Sequence, residues 1–185
     1  MNNKLIALSL TAAALLAQSA NAQPGVRYNN QQARIAQGVS SGQLTAAETT
    51  NLERKEAAIN QEVRTDRALN GGKLTAAERA QVTRQDNRLS NQIYADNHNA
   101  AVQHYGKNEV DARRYNQQQR ISTGIANHSL NAGEASSLER KEVATNQEVR
   151  TDRALNGGRL TQGEHAIVNQ QQNQVSRQIY RAKHN

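Results

Sequence analysis

The chain has 185 residues, a formal net charge of +7, and no cysteine, phenylalanine or tryptophan. Without thiols it has no disulfide, thiolate metal site, cysteine nucleophile or lipidated cysteine. Its basic excess favours anionic partners such as polyanions and acidic or unfolded polypeptides.

Lys4 precedes an apolar run from Leu5 to Leu16 and a small-residue pattern at Ala20-Asn21-Ala22. This reads as a signal peptide over 1–22, cleaved near Ala22, which predicts a periplasmic or secreted protein. The run is too short for an integral membrane span. Loss of Lys4 leaves an excess of about six positive charges on the mature chain. Leu, Ile and Val make up only about a sixth of that chain, so its core is predicted to be thin. Abundant Ala, Gln, Glu, Arg and Lys, with a single Pro, favour helices over disorder.

The first helical repeat is expected over 23–98. A helix from Tyr28 to Gln37 is followed by Gly42-Gln43-Leu44-Thr45-Ala46-Ala47-Glu48, which returns as Gly72-Lys73-Leu74-Thr75-Ala76-Ala77-Glu78. Thr and the Glu three places on form a capping box that opens a helix. Helices are therefore predicted over 46–69 and 76–97. Leu44 and Leu74 hold the place of a hydrophobic staple. Leu52, Ile59 and Val63 form one stripe, and Val82, Leu89 and Ile93 another. Gly71-Gly72 between the two helices suits a left-handed helix stop and a reversal into an antiparallel pair. Residues 99–113 are irregular and read as a linker.

The second repeat, 114–185, copies the first. Leu138-Glu139-Arg140-Lys141-Glu142 repeats Leu52 to Glu56, and Asn146 to Gly158 repeats Asn60 to Gly72 letter for letter. Helices are expected from Tyr115, Ala132 and Gln162, with caps Asn131 and Thr161 followed by Glu134 and Glu164. Ile59 becomes Thr145 while Ala57 becomes Val143, which predicts repacking inside two similar but separate bundles, although the thin stripes also suggest pairing between the halves or between chains. The fold class is all-α, a tandem duplication of a three-helix unit. Tyr28, Tyr94, Tyr115 and Tyr180 are expected as core or lid residues.

The Gly-x-Leu-Thr-x-x-Glu pattern resembles the end of an EF-hand loop, but the places of its first calcium ligands fall on Arg67, Leu69 and Gly71 or on Gln37, Val39 and Ser41. Leu44-Thr45-Ala46-Ala47-Glu48 and Leu74-Thr75-Ala76-Ala77-Glu78 also resemble the Leu-Thr-x-x-Gln motifs of small periplasmic all-helical proteins of the Spy and CpxP type. That resemblance implies an envelope-stress or chaperone-like role, with unfolded polypeptide held on a basic, dimeric cradle.

The candidate binding residues are Arg64, Arg67, Arg150, Arg153, Arg177, Arg181 and Lys183. In the copied run Glu62, Arg64, Asp66 and Arg67, repeated as Glu148, Arg150, Asp152 and Arg153, are expected to pair along their helix. The metal alternative is soft-ion binding, zinc or copper, by His98, His104 and His184. Otherwise neither metal nor cofactor is expected. Phosphate loops, nucleophile elbows and paired metal-binding histidines are missing from the sequence, and every repeated Glu has a capping or ion-pairing explanation, so no enzyme is expected. Without aromatic platforms or a groove-reading helix, nucleic acid is not the expected partner. A binding protein with basic helix faces is the first reading. A structural or matrix repeat, self-associating as a homodimer or larger assembly through thin stripes, is another.

Overall fold

The computed structural model describes residues 24–184, so the signal-peptide reading of 1–22 lies outside the described residues. Among these the chain is all-helical and has no strand. The helices are α1 (Pro24–Ser41), α2 (Ala46–Leu69), α3 (Ala76–Asn97), α4 (Glu109–Ala126), α5 (Ala132–Leu155) and α6 (Gln162–Ala182). The predicted bounds of α2 and α3 agree with these. By contrast, α4 begins at Glu109, inside the stretch read as linker. Asn108 caps it, its side chain accepting the Asp111 N–H at 3.1 Å, and acidic Glu109 and Asp111 in the first turn complement the helix dipole.

The capping boxes form as expected at Thr45, Thr75, Asn131 and Thr161. At the first, Glu48 N–H donates to Thr45 Oγ1 at 3.3 Å and Thr45 N–H donates to Glu48 Oε2 at 2.9 Å. Thr45→Ala should therefore lower stability by about 1 kcal/mol, a loss of roughly 2–4 °C in the thermal midpoint read by circular dichroism. An unchanged midpoint would mean that the box carries no weight.

At the α2–α3 reversal Gly71 and Gly72 have φ of 62° and 88°. The Gly72 N–H reaches back to Arg67 O at 2.7 Å, which closes the helix end. Asn70 Nδ2 then donates to both carboxylate oxygens of Glu78, at 2.8 and 3.0 Å, and ties the end of α2 to the cap of α3. The α5–α6 reversal repeats these bonds through Gly158 and Asn156.

The stripe residues Leu52, Ile59, Val63, Val82, Leu89 and Ile93 are all buried. So are Leu44 and Leu130, which lie over helical glycines: a Cβ on Gly38 would fall 2.5 Å from Leu44 Cγ, and one on Gly124 would fall 2.6 Å from Leu130 Cγ. The expectation of two separate bundles is corrected here. Ile35, Leu52 and Ile93 share one core with Ile121, Ile125, Leu138 and Ile179, because α1 packs on α4 and α2 on α5. Stripes this narrow cannot enclose a core within one half.

Two bonds fix the relation between the halves. Ser122 Oγ donates to Ala36 O at 2.9 Å and Ser136 Oγ to Thr50 O at 3.2 Å, and each spans 86 positions. That is also the offset between the sequence copies, so equivalent positions meet. Such self-contacts occur at a two-fold axis.

The tyrosine expectation is corrected as well. Tyr94, Tyr115 and Tyr180 are exposed. Tyr94 and Tyr180 instead stack on His98 and His184, with ring centroids 4.1 and 4.2 Å apart.

Candidate functional site

Four carboxyls stand inside the shared core. Glu53 and Glu139 are 0 % exposed, Glu56 1 % and Glu142 3 %. The reading that every repeated Glu caps a helix or pairs with a base fails for these four, since among the described residues none makes an ion pair. Gln32 Nε2 donates to Glu53 Oε2 at 3.2 Å, and Gln118 Nε2 to Glu139 Oε2 at 2.8 Å. Neighbouring glutamines lace the helices together: Gln31 Nε2 donates to Asp86 O and Gln117 Nε2 to Gln172 O.

Burial in a low-dielectric interior penalises the charged form of each carboxyl. It pushes Glu53 up to about 8 against the Gln32 hydrogen bond, with Glu56 adding to the rise. It likewise pushes Glu56 up to about 8, with Asp86 adding. Glu139 lies well above its ordinary value, again chiefly through burial. Glu142 rises only to about 7, because the Arg114 guanidinium opposes burial there. At neutral pH Glu53 and Glu56 are therefore mostly protonated.

A groove of about 1020 Å³ opens beside this core. Its walls are the start of α2 at Thr45, the connection through Val102 and His104, and the second half of α5 up to Leu155. The start of α2 thus faces the later turns of α5, and the two long helices run antiparallel. Arg114, Arg150, Arg153 and His104 line the groove against one acid, Asp111. That acid is shared: Arg114 Nη1 lies 3.3 Å and Arg153 Nη1 3.5 Å from its two oxygens. Arg150 is exposed and, among the described residues, has no ion pair. Apolar surface accompanies this charge, with Leu155 79 % and Val102 43 % exposed.

The structure thus brings Arg150 and Arg153 to one groove. Arg64 and Arg67 lie on the last turns of α2, at the opposite end of the antiparallel pair. Arg177 and Arg181 are exposed on α6, and Lys183 Nζ donates to Arg120 O at 3.3 Å. The seven basic residues do not form one patch.

The expected pairing along the copied run is also corrected. Glu62 accepts from Gln81 Nε2 and Gln85 Nε2 on α3, and Glu148 accepts from Gln171 Nε2 on α6. The spacing explains why. Opposite charges fall one, two or five positions apart, whereas Glu62 and Asp66, four apart, repel. Asp66 is accordingly raised, by desolvation first and then by Glu78 and Glu62.

His98 and His184 close helix ends, each Nδ1 donating to a tyrosine carbonyl at 2.7 Å. His104 lines the groove. Among the described residues no group of three His, Asp or Glu is placed to hold a metal ion. No helix among them is long and apolar enough to cross a membrane.

In comparisons with known proteins, no family model, curated protein or solved structure matches the chain.

Proposed function

We propose that this chain is an exported, non-enzymatic binding protein that holds an acidic, extended stretch of polypeptide in the groove between α5 and the connection before α4. The observation that carries the reading is the pairing of Arg150 and Arg153 with exposed Leu155 and Val102 around about 1020 Å³ of space. Cationic guanidiniums recognise carboxylates in planar, two-pronged fashion, and adjacent apolar surface adds affinity without sequence demand. That combination suits unfolded or stress-damaged clients, in keeping with the resemblance to periplasmic proteins of the Spy and CpxP type. The remaining basic surface, Arg64, Arg67, Arg177, Arg181 and Lys183, would steer acidic partners from a distance.

The test is fluorescence anisotropy with a labelled peptide of alternating Glu and Leu. Arg150→Glu should weaken binding at least about tenfold, whereas Arg177→Glu should change it by less than about twofold at 150 mM salt. Equal losses in the two variants would replace the groove with a diffuse basic surface. No binding by the unaltered chain would remove the reading altogether.

A further inference from the structure

The two halves differ where each covers its inner carboxyls. In the second half the position 86 after Tyr28 is Arg114. Arg114 is buried, its guanidinium 3.3 Å from Asp111 and 5.5 Å from the centroid of the Tyr105 ring, and it acts on both Glu139 and Glu142. The second half therefore carries its own counter-cation.

The first half has the acids without that cation. Gly25 stands at the position of Asp111 and Tyr28 at that of Arg114, while Asp86 stands where the second half has the neutral Gln172. A cavity of about 150 Å³ remains, lined by Tyr28, Glu56, Asn60, Arg67 and Asp86 among others. Glu56 is 1 % exposed, and its Oε2 has no hydrogen-bond partner among the described residues. Asp86 is 6 % exposed. At about 30 Å³ for each water, the space equals roughly five waters. That admits a guanidinium or ammonium head but falls well short of the roughly 300 Å³ or more of an ordinary ligand pocket.

We propose that this cavity binds a single guanidinium-type organic cation between Glu56 and Asp86, on the side where the second half carries Arg114 in place of Tyr28. Two flanking acids supply the charge, Asn60 Oδ1 is a further acceptor, and the Tyr28 ring provides a wall for a flat cation. The groups facing Glu56 are Asp86 on α3, Tyr28 on α1, Glu53 one turn earlier on α2, and Arg67 at the mouth. Arg27 acts on Asp86, and Arg64 on Tyr28. Arg67 is exposed and competes with the incoming cation from the mouth. Because burial keeps Glu56 protonated up to about pH 8, the cation must displace a proton. Affinity should fall as pH drops below that value, by as much as about tenfold per unit.

The test follows thermal unfolding of the protein at pH 8 with methylguanidinium chloride, against sodium chloride of equal ionic strength. At ten times its dissociation constant the cation should raise the midpoint by roughly 3–6 °C, and the rise should disappear at pH 6. Asp86→Gln, which installs the residue of the second half, and Tyr28→Arg, which supplies the cation internally, should each abolish the response. Arg67→Ala should strengthen it. A pentapeptide with one central arginine and blocked ends gives the second arm. A response to it as well as to methylguanidinium assigns the cavity to basic side chains, and a response to methylguanidinium alone assigns it to free small cations. No midpoint rise for the unaltered chain, or a rise kept by both Asp86→Gln and Tyr28→Arg, overturns the proposal. The acidic-peptide groove shares no lining residue with this cavity, so either reading can fail without the other.

Discussion

Raising the pH from 5 to 9 should lower the thermal midpoint of this protein by roughly 8–16 °C. A carboxyl whose folded pKa exceeds its unfolded value binds protons more tightly when folded, so stability falls as pH rises between the two values. For Glu53 and Glu56, raised to about 8, that window runs from the ordinary carboxylate range near 4.3 up to about 8. For Glu142 it closes near 7. The full contribution is present below the window, is lost on the way up, and is constant above it. If each of the four glutamates yields only about 1 kcal/mol, the sum of about 4 kcal/mol corresponds to roughly 8–16 °C for a chain of this size. Glu78 and Glu164 act in the opposite sense, lowered by backbone hydrogen bonds to their caps, but their window lies below about pH 4.5. Circular dichroism melts at half-unit intervals would show the decline. The double variant Glu53→Gln, Glu139→Gln should roughly halve it, since an amide keeps the shape and cannot ionise while Glu56 and Glu142 remain. A midpoint that stays level or climbs between pH 5 and 8 would refute the neutral-carboxyl interior.

Those glutamates show what the sequence displays and what it conceals. Thr or Asn followed three places on by Glu announces the starts of α2, α3, α5 and α6, because capping is a local matter of one side chain and one amide. Paired glycines announce the reversals for the same reason. The four core acids carry no such local signature, since Glu ordinarily marks a solvated face. Yet a signal was present. Leu52, Ile59 and Val63 form a stripe whose missing member, one helical turn beyond Leu52, is Glu56, and the second half repeats the gap at Glu142. A polar residue on an apolar stripe, kept in both copies, points inward. The groove was less legible, because it needs α5, the start of α2 and the connection near His104 to converge, and no spacing along the chain encodes that. Residues Arg64 and Arg150 are identical in their local sequence, and only the antiparallel pairing sends them to opposite ends.

Cut between the repeats, neither half should fold alone, and mixing the two should restore the fold. Fragments 24–98 and 99–184 each keep three helices, their caps and one glycine reversal, so local structure predicts folding for both. The core predicts the reverse. Ile35 and Ile121, both 0 % exposed, belong to α1 and α4, which pack on each other. Separation would return that surface to water, at about 25 cal/mol for each Å² of apolar area. Helices of 18 to 24 residues do not persist in water without such packing. Each fragment should therefore show less than about half the helical ellipticity per residue of the whole and no cooperative melt. Self-pairing is a weaker escape for the first fragment, because the hydroxyl donors at the two-fold contacts, Ser122 and Ser136, both come from the second half. An equimolar mixture should regain most of the ellipticity and a single transition whose midpoint rises with concentration, as association requires. Either fragment melting alone at the temperature of the whole chain would mean that each half owns a complete core, and the glutamates would then have to be buried within a half rather than between two.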